Sequence, residues 1–579
     1  MNGPVYTIDN KCQDCYKCVR HCPVKAIRIV GGKASVIPES CVACGECVKV
    51  CPAHAKKVRI DLPRLLQLLD SGVPVVASVA PSFAGYFKGV SIGRLATALK
   101  MAGFAGVSET AHGAESVSAH VSKLYQEAPR TSVMISSACP ACVDMIRKYM
   151  PQWATYISPL PSPVRAHVKL IKEKLGEETK VVFFGPCAAK KNESDRNPEQ
   201  LSLALIFSAL EDLLRAKGID LAAVTEESEL VLGPAEEGRF YSVEGGMNDT
   251  IRDGSDKVRF VSVSGLDNLR RLLSVTPPPH ESDARPIFIE CLACPGGCVN
   301  GPAMREGATL EALLATDAIS PIRTSIDRCF THCGGANYPA ASVAKPEPDE
   351  TMIAAALARV GKTSKADEVN CGACGYSTCR EFAIALLEGK AEEAMCHTFL
   401  KKNFEKTSNA LIKYIPAGVV LVDGAGCITE CNRTFAELVG ATTEYEALGT
   451  LEGLPVDSYL PEFADLFTGA LQHGSEIEKF RQPIKDKLVN VSVFSIARGE
   501  SAGAVIQDVT TNELHREQVA AKAREVIMKN VYTVQQVARL FGEHIAETEI
   551  MLNEIAGTYQ SATVGENRNG GNSEAYLNG

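Results

Sequence analysis

The feature that most constrains this chain is a pair of closely spaced cysteine runs near its start. Both runs have the spacing Cys-x2-Cys-x2-Cys-x3-Cys-Pro, and their members are Cys12, Cys15, Cys18, Cys22, Cys41, Cys44, Cys47 and Cys51. The whole chain has 22 cysteines, many of them in tight triplets that are followed by a fourth. In a large chain without an evident export signal, this spacing indicates metal binding or catalysis rather than disulfides.

The repeated run matches the two-cluster bacterial ferredoxin pattern, in which the fourth cysteine of each run ligates the other cluster. The first cluster would then take Cys12, Cys15, Cys18 and Cys51, and the second cluster would take Cys41, Cys44, Cys47 and Cys22. A zinc ribbon is the alternative, and eight cysteines in two such runs disfavour it. Residues 1–60 are therefore predicted to form a two-[4Fe–4S] ferredoxin domain through which electrons pass.

Length and charge narrow the function classes. A chain of 579 residues exceeds what one hydrophobic core supports, so about three to five domains are expected. The net charge of −9 argues against nucleic acid as the main partner, because phosphate binding needs clustered Lys and Arg. No apolar run reaches the roughly 18 residues of a membrane span, and Met1–Lys11 lacks the regions of a signal peptide. These features predict a cytoplasmic protein with no membrane partner.

Residues 61–345 alternate short apolar strands with helices, which is the pattern of an α/β body. Val73–Val79 and Lys180–Phe184 are predicted strands, and Leu201–Lys217 has the periodicity of a helix. Four further cysteines are spread over this body, each close to Gly or Pro: Cys139, Cys187, Cys294 and Cys298. Loops at the strand ends could therefore bring four thiolates to one buried site.

The segments around these cysteines, 136–140, 185–193 and 290–301, look like the three signature motifs of [FeFe]-hydrogenases. With the ferredoxin-like start, the resemblance covers roughly residues 1–340. It implies that the [4Fe–4S] part of an H-cluster is held by Cys139, Cys187, Cys294 and Cys298. Cys298 would also bridge to a diiron unit with CO, cyanide and dithiolate ligands, which separate maturation proteins would build. Lys190 would donate to a cyanide ligand, and Pro81 and Ser82 resemble the segment that lines the diiron pocket.

The chain departs from the family's sequence pattern at the position that relays protons in catalytic members. Catalytic members usually have two adjacent cysteines in the first motif, and the first of them relays protons; here that position is Ala138. The methionine usual in the third motif is Leu292, and the glycines that usually follow are cut to Gly301-Pro302. A positioned proton-transfer group is worth on the order of 10²–10⁴ in rate. The resemblance therefore implies slow turnover, which a sensor would tolerate.

Three residues are candidates for another proton route. The relay glutamate of the family falls near His120 in this sequence, and Glu115 and Glu193 are the other candidates. Each of the three could equally belong to an exposed face. Cys142 and Cys291 flank presumed ligands and could relay protons or tune a potential, although buried inert thiols are the commoner outcome. Cys329 and Cys333 have no assignment.

A further four-cysteine segment occupies residues 346–405. Its cysteines are Cys371, Cys374, Cys379 and Cys396, and the segment resembles the small [4Fe–4S] domain of corrinoid and electron-transport iron–sulfur proteins. Four thiolates also suit zinc, but the neighbouring iron–sulfur regions favour a third cluster. Because this segment lies between the body and the C-terminal part of the chain, we expect it to pass electrons from the body toward the C-terminal part.

Residues 406–511 resemble a PAS domain, with predicted strands at 418–423, 427–432 and 504–510. The last of these ends in Asp508-x-Thr510, which resembles a PAS exit motif. Cys427 and Cys431 could be ligands, but core thiols are the simpler explanation, and the PAS ligand is unknown. Residues 512–561 carry apolar residues at four-three spacing, which favours a coiled coil or a docking helix. The tail, 562–579, is expected to be disordered.

The sequence thus predicts a multidomain chain of α/β and α+β class: ferredoxin-like start, hydrogenase body, small iron–sulfur domain, PAS domain and signalling helix. The function it favours is a sensory [FeFe]-hydrogenase that acts on H2 and protons, with electrons relayed through three [4Fe–4S] clusters. Its expected partners are a ferredoxin or similar carrier, a separate kinase or phosphatase, and a second copy through the PAS domain and the helix. The alternatives are a ferredoxin-linked catalytic hydrogenase and a hydrogenase-like protein without the diiron unit.

Overall fold

The computed structural model describes residues 3–127, 133–251, 258–277, 285–305, 334–510, 522 and 525–530. The chain divides into two compact units, Met1–Glu392 and Glu393–Gly579. The division falls inside the predicted small iron–sulfur domain, so Cys396 belongs to the second unit and the other three cysteines to the first. The remaining predicted domain boundaries stay predictions.

The ferredoxin-like part is built from short elements around the two cysteine runs. In chain order these are β1 (Val5–Thr7), α1 (Lys17–His21), β2 (Ile27–Val30), β3 (Lys33–Val36), α2 (Glu46–Lys49) and β4 (Lys56–Val58). Strand β1 pairs antiparallel with β4, and β2 pairs antiparallel with β3. Helices α1 and α2 contain the third cysteine of each run, Cys18 and Cys47, and the two helices contact each other.

The body consists of two parallel sheets with helices between their strands. Its elements are α3 (Leu62–Leu69), β5 (Val75–Val79), α4 (Phe83–Tyr86), α5 (Ile92–Met101), β6 (Gly106–Glu109), α6 (Ala111–Glu127), β7 (Val133–Ile135), α7 (Pro140–Tyr149), α8 (Pro163–Leu175), β8 (Lys180–Gly185), α9 (Ala189–Arg196), β9 (Leu203–Ile206), α10 (Phe207–Ala216), α11 (Gly246–Ile251), β10 (Arg259–Ser264), α12 (Leu266–Leu272) and β11 (Ile287–Leu292). The strand orders are β6-β5-β8-β9 and β10-β11-β7. The predicted α/β body is confirmed.

The strands that lie inside the first sheet, β5 and β8, are mostly apolar. All residues of β5 are buried, as expected for a parallel strand that is covered by helices on both faces. The segment 201–217, predicted to be helical throughout, instead contains β9 before α10 begins at Phe207. The prediction was wrong for 203–206 because a short apolar run fits a buried strand as well as a helix.

The first unit ends in two helices, α13 (Glu350–Arg359) and α14 (Cys379–Leu387), which share a small apolar core. The hydroxyl of Thr378 accepts a hydrogen bond from the backbone N–H of Glu381 and caps α14. The side chain of Asn370 accepts from the N–H of Cys379 at 2.7 Å. These bonds fix the start of the helix that carries Cys379.

The second unit contains one five-stranded antiparallel sheet in the order β13-β12-β16-β15-β14. Its elements are α15 (His397–Tyr414), β12 (Gly418–Asp423), β13 (Ile428–Cys431), α16 (Arg433–Leu438), α17 (Thr442–Leu448), α18 (Ala464–His473), β14 (Ile477–Ile484), β15 (Lys487–Ala497) and β16 (Ser501–Asp508). The predicted strands are confirmed. After β16 the N–H of Thr510 donates to Asp508, and its hydroxyl accepts from the N–H of Leu488 in β15.

Some sequence predictions lie outside the described residues: Cys329, Cys333, the tail and most of the signalling helix. Within the part of the chain that the structure describes, no helix combines the length and the apolar character needed to cross a membrane.

Candidate functional site

The four spread cysteines of the body come from the carboxyl ends of parallel strands. Cys139 follows β7 and immediately precedes α7, whose first residue is Pro140. Cys187 lies between β8 and α9, and Cys294 and Cys298 follow β11. Cys139, Cys294 and Cys298 meet because they follow neighbouring parallel strands of one sheet, whose carboxyl ends share an edge. Cys187 follows a strand of the other sheet and packs against the same alanine cluster as Cys139.

The thiols of these cysteines interact with one another electrostatically. Burial and the neighbouring Cys139 raise the pKa of Cys187 to about 11. Burial and the other thiols also raise the pKa of Cys294 and Cys298, against the opposing charge of Lys190 in the case of Cys298. Hydrogen bonds, first from the Cys142 thiol and then from backbone N–H groups, lower the pKa of Cys139 to about 6. Four thiolates so close together need bound cations to neutralise them.

The donor set suits a cluster of several iron atoms. Four cysteine thiols are the usual ligand set of a [4Fe–4S] cluster. A cubane keeps its four thiolates farther apart than a tetrahedral zinc ion does. Cys139 and Cys187 also pack with Cys41 and Cys44 around small alanine side chains. The residues present therefore fit a [4Fe–4S] cluster beside the second ferredoxin-type cluster.

The turn between Cys294 and Cys298 depends on glycine. Gly296 and Gly297 have φ angles of 73° and 109°, which favour residues without a Cβ. A Cβ on Gly297 would lie 2.6 Å from the carbonyl oxygen of Ser242. The two glycines therefore let the loop pack closely against the backbone of Ser242, and this close packing places Cys294 and Cys298 at the site.

Beside the cysteines lies a buried polar group formed by Lys190, Ser162 and Glu193. The Lys190 ammonium donates to Oε2 of Glu193 at 2.7 Å and to the hydroxyl of Ser162 at 3.0 Å. Ser162 donates to Oε1 of Glu193 at 2.6 Å. Lys190 also interacts electrostatically with Cys187 and Cys298. Of the residues predicted from the sequence, Lys190 and Glu193 are thus brought together, and Ser162 is an addition that the structure supplies.

The Pro81-Ser82 segment follows β5, the strand adjacent to β8. The Ser82 side chain is 1% exposed, and its hydroxyl makes no hydrogen bond to any residue that the structure describes. A buried hydroxyl without a partner costs free energy unless a bound group satisfies it. This orphaned donor fits the prediction that the segment lines a cofactor pocket.

The surroundings of Ala138 are largely apolar. Ala138 is partly buried and packs against a cluster that includes Val117 and Met247. Its N–H donates to the hydroxyl of Ser136 at 3.2 Å. On α6, the helix that faces this cluster, the hydroxyl of Ser118 lies 2.7 Å from that of Tyr241. The side chain of Ala138 thus packs against an apolar cluster, one member of which, Met247, donates its N–H to the buried carboxylate of Glu290.

The other predicted proton carriers lie against different elements. The ring of His120 is bonded to the carbonyl of Ser116 on its own helix at 2.8 Å. Glu115 accepts from the N–H of Glu236 at 2.7 Å and lies 3.5 Å from the ring of His112. Glu193 alone among the three candidates contacts Lys190.

Cys142 and Cys291 are two further thiols next to the four cysteines of the site. Both are fully buried, with the Cys142 thiol bonded to Cys139 and to Cys291. Cys291 in turn donates to the carbonyl of Ser136 at 3.6 Å. Hydrogen bonds to ligand sulfurs raise a cluster's reduction potential, so of the two roles left open by the sequence this geometry favours tuning.

Glu290 is a buried acid that the sequence did not single out, although it immediately precedes the third motif. It is 2% exposed and accepts from the N–H of Met247 and the hydroxyl of Ser262. Burial raises its pKa from 4.5 to about 7. It also interacts electrostatically with Cys298, so its charge affects the site.

Glu290→Gln is expected to change how stability depends on pH. Between 4.5 and about 7, folded Glu290 keeps a proton that the unfolded chain releases, so its stabilising contribution is present below 4.5 and is lost as the pH rises through 7. Glutamine cannot ionise, so the variant should gain on the order of 3 kcal/mol relative to wild type between about pH 5 and about pH 8. The buried side chain of Trp153, the single tryptophan, reports unfolding of the body by fluorescence. Exposed Glu244 provides the control, Glu244→Gln; equal pH dependence in all three proteins would contradict the assignment.

The two ferredoxin-type sites are arranged as the crossed pattern requires. Cys22 interacts electrostatically with the second run, Cys41, Cys44 and Cys47. Cys51 interacts in the same way with Cys15 and Cys18 of the first run.

The second ferredoxin-type site lies against the body. The Lys148 ammonium of α7 donates to the carbonyl of Cys41 at 2.8 Å. Gly45 approaches Pro302 so closely that a Cβ would lie 2.4 Å from the proline ring. The loop that carries the second cysteine run therefore contacts the body directly.

Family comparisons match four segments of the chain. Residues 73–302 match the family described as iron only hydrogenase large subunit, C-terminal domain, and residues 4–52 match the 4Fe-4S dicluster domain. Residues 367–397 match an Fe-S cluster family, and residues 408–507 match the PAS fold.

Among curated proteins, the periplasmic [Fe] hydrogenase large subunit of Nitratidesulfovibrio vulgaris is 28% identical over 353 residues, 50% of this chain and 84% of the relative. The cytosolic Fe-S cluster assembly factor NAR1 of Encephalitozoon cuniculi is 25% identical over 217 residues, 33% of this chain and 58% of the relative. The chain thus spans less than two thirds of this second relative. A solved structure of a variant of [FeFe]-hydrogenase HydA1 from Chlamydomonas reinhardtii has 19% identity and a TM-score of 0.39, covering 49% of this chain and 100% of its own.

Proposed function

This chain carries an [FeFe]-hydrogenase-like body together with ferredoxin-like, small iron–sulfur and PAS regions, and from that premise we propose that it is a hydrogen sensor. The sensor would bind H2 at an H-cluster, pass electrons through its [4Fe–4S] clusters and report the redox change through the PAS region. The observation that carries this proposal is that the four cysteines and Lys190 of the family's ligand set are present, whereas the residue at the proton-relay position is Ala138. Cys298 and Lys190 lie together in the body, whereas Ala138 offers no proton.

The chain's own residues would prepare the pocket for its cofactor. Cys139, Cys187, Cys294 and Cys298 would hold the H-cluster; when bound, its diiron unit would supply heterolytic H2 cleavage. Lys190 would hold a fixed positive charge at the pocket, with Glu193 and Ser162 orienting its ammonium. The Ser82 hydroxyl would donate into the same pocket, and the Cys142 thiol would raise the potential of the cubane.

The proton route in this proposal is slow. Ala138 breaks the first step of the family's relay, because an alanine side chain carries no transferable proton. Protons would then reach the site through hydroxyls such as Ser118 or through Glu193 near Lys190. Slow turnover lets H2 set the redox state of the clusters without rapid consumption of the gas.

The output of this sensor would act through other proteins. The proposed partners are a separate kinase or phosphatase, a ferredoxin or similar carrier, the maturation proteins and a second copy of the chain. The ferredoxin-like part would carry its first and second clusters, and the four-cysteine segment a third. The cytoplasm is the proposed location.

Two alternatives follow from specific observations. Similarity to a hydrogenase large subunit supports a ferredoxin-linked catalytic enzyme, against which Ala138 counts. Similarity to a relative named as an Fe-S cluster assembly factor supports a protein without the diiron unit, against which the Lys190 and Cys298 arrangement counts.

Infrared spectroscopy on protein matured with its diiron cofactor tests the proposal. CO and cyanide bands that shift under H2, together with slow turnover, are the expected result. Shifting bands with fast turnover would favour the catalytic enzyme. Absent bands, while a control hydrogenase matures normally, would favour the diiron-free protein.

A further inference from the structure

The part of the four-cysteine segment that belongs to the first unit, residues 346–392, lies against the ferredoxin-like part. The N–H of Ile29 in β2 donates to the carbonyl of Lys390 at 3.0 Å. The N–H of Gly31, in the turn after β2, donates to the carboxylate of Glu392 at 2.6 Å. Two backbone donors of one hairpin thus hold the end of this segment in place.

Arg20 joins the segment to the loop of the first cluster. It is part of α1, the helix that contains Cys18 and ends just before Cys22. One end of its guanidinium donates to the carbonyl of Cys15 and the other donates to the carbonyl of Ala373, both at 3.2 Å. The two ligand-bearing loops therefore share one cation.

Lys25 makes the equivalent connection for the second cluster. Its ammonium donates to the carbonyls of Val19 and Arg20 at 3.0 Å and to that of Gly375 at 2.8 Å. The same charge interacts electrostatically with Cys22 and Cys374. The backbone of Lys25 has a φ of 47°, a left-handed conformation that lysine seldom adopts. The side chain is thus anchored between two ligand positions, at a site where its backbone is strained.

Gly375 allows this approach. Its φ is 91°, and a Cβ would lie 2.9 Å from the side chain of Val19 and 3.2 Å from the N–H nitrogen of Arg20. Any larger residue would push the segment away from α1. The contact is therefore specific in shape as well as in hydrogen bonding.

We propose that Lys25 is a positioning residue that couples the second cluster to the third, so that electrons reach the four-cysteine segment from the ferredoxin-like part. In the step itself, one electron leaves the reduced second cluster and enters the oxidised third cluster, without proton transfer. This proposal rests on the cluster assignments of the proposed function but not on the diiron unit.

Lys25 affects the two clusters through its positive charge, which lies near ligands of both. Reduction adds one negative charge to a cluster, and a fixed cation nearby stabilises that charge. Lys25 is half-buried, so water and salt screen it less than they screen an exposed lysine. It therefore favours reduction of both neighbouring clusters while its hydrogen bonds hold their loops together.

A redox titration of the full chain with reconstituted clusters tests this role. Dithionite reduces the clusters directly, and electron paramagnetic resonance follows each one. In Lys25→Gln, the ratio of reduced to oxidised third cluster at a fixed potential should fall by about tenfold. Lys57→Gln, an exposed lysine on β4 of the same part, should leave this ratio unchanged.

Two further proteins separate coupling from a folding defect. Lys25→Asn removes the charge with a residue that accepts left-handed backbone, and it should reproduce the shift of Lys25→Gln. In wild type, the reduced second and third clusters should show a magnetic interaction that disappears in Cys379→Ala, which lacks a third-cluster ligand. A third-cluster potential in the Lys25 variants equal to that in Lys57→Gln would overturn the proposal. The lack of a magnetic interaction between the second and third clusters in wild type would overturn it as well. Missing CO and cyanide bands would overturn only the proposed function.

Discussion

Ala138→Cys is expected to raise H2 turnover of the matured protein by on the order of 10²-fold. A thiol at this position would stand next to Cys139, at the place where the related hydrogenases relay protons. The backbone there is already fixed by the bond from Ala138 N–H to Ser136. The gain should stay at the lower end of the range for such groups, because the added thiol restores only the first step of the relay. Hydrogen evolution with a dye reductant measures the effect.

Ala138→Ser is the matched control. Its hydroxyl is similar in size to the thiol but far less acidic, so it should transfer protons poorly at neutral pH and raise turnover much less. Infrared bands of both variants should resemble those of wild type, which shows that the cofactor is intact. Unchanged turnover in Ala138→Cys with intact bands would mean that Ala138 is not what limits the rate.

Lys190→Met should weaken retention of the diiron unit by about 10- to 100-fold, as expected when a partner that orients a metal's ligands is lost. Lys190 carries a charge next to Cys298, and methionine keeps the length of the side chain without that charge. Glu193 keeps its hydrogen bond from Ser162, so folding should be only moderately affected. The intensity of CO and cyanide bands per protein measures the loss.

The neighbouring lysine supplies the control. The Lys191 ammonium donates to Asp61 at 2.7 Å and to the carbonyl of Ala204 at 2.8 Å. Lys191→Met should therefore lower the free energy of unfolding by about 1–3 kcal/mol, followed by Trp153 fluorescence in denaturant, while the folded fraction keeps its infrared bands. Equal band loss in both variants would show that Lys190 acts only through stability.

Much of the architecture was predictable from the sequence because its signals are local. The spacing of the paired runs predicted a ferredoxin-like part, and the run Val73–Val79 predicted a strand, found as β5. The segment 504–510 predicted the last strand of the PAS-like sheet, found as β16. The exception, 203–206, is a run too short for its period to distinguish strand from helix.

The surroundings of the site were less predictable because they depend on long-range contacts. Ser162 carries no motif, yet it joins Lys190 to Glu193 once α8 and α9 pack together. Glu290 was visible only as the residue before a cysteine motif; its raised pKa comes from burial. Lys25 and Gly375 are 350 residues apart, and no local pattern connects them.

By itself, the sequence determined which cysteines form sets, because ligand spacing and the signature motifs are properties of short segments. It also determined that a proton carrier is missing at Ala138, since an alanine side chain cannot ionise in any fold. The tertiary structure decided what surrounds each ligand. Lys190 turns toward the cysteine site while Lys191 turns toward Asp61, because consecutive helix positions point in different directions. Lys25 likewise gains its place between two cysteine loops only when a segment from the far end of the first unit folds back onto α1.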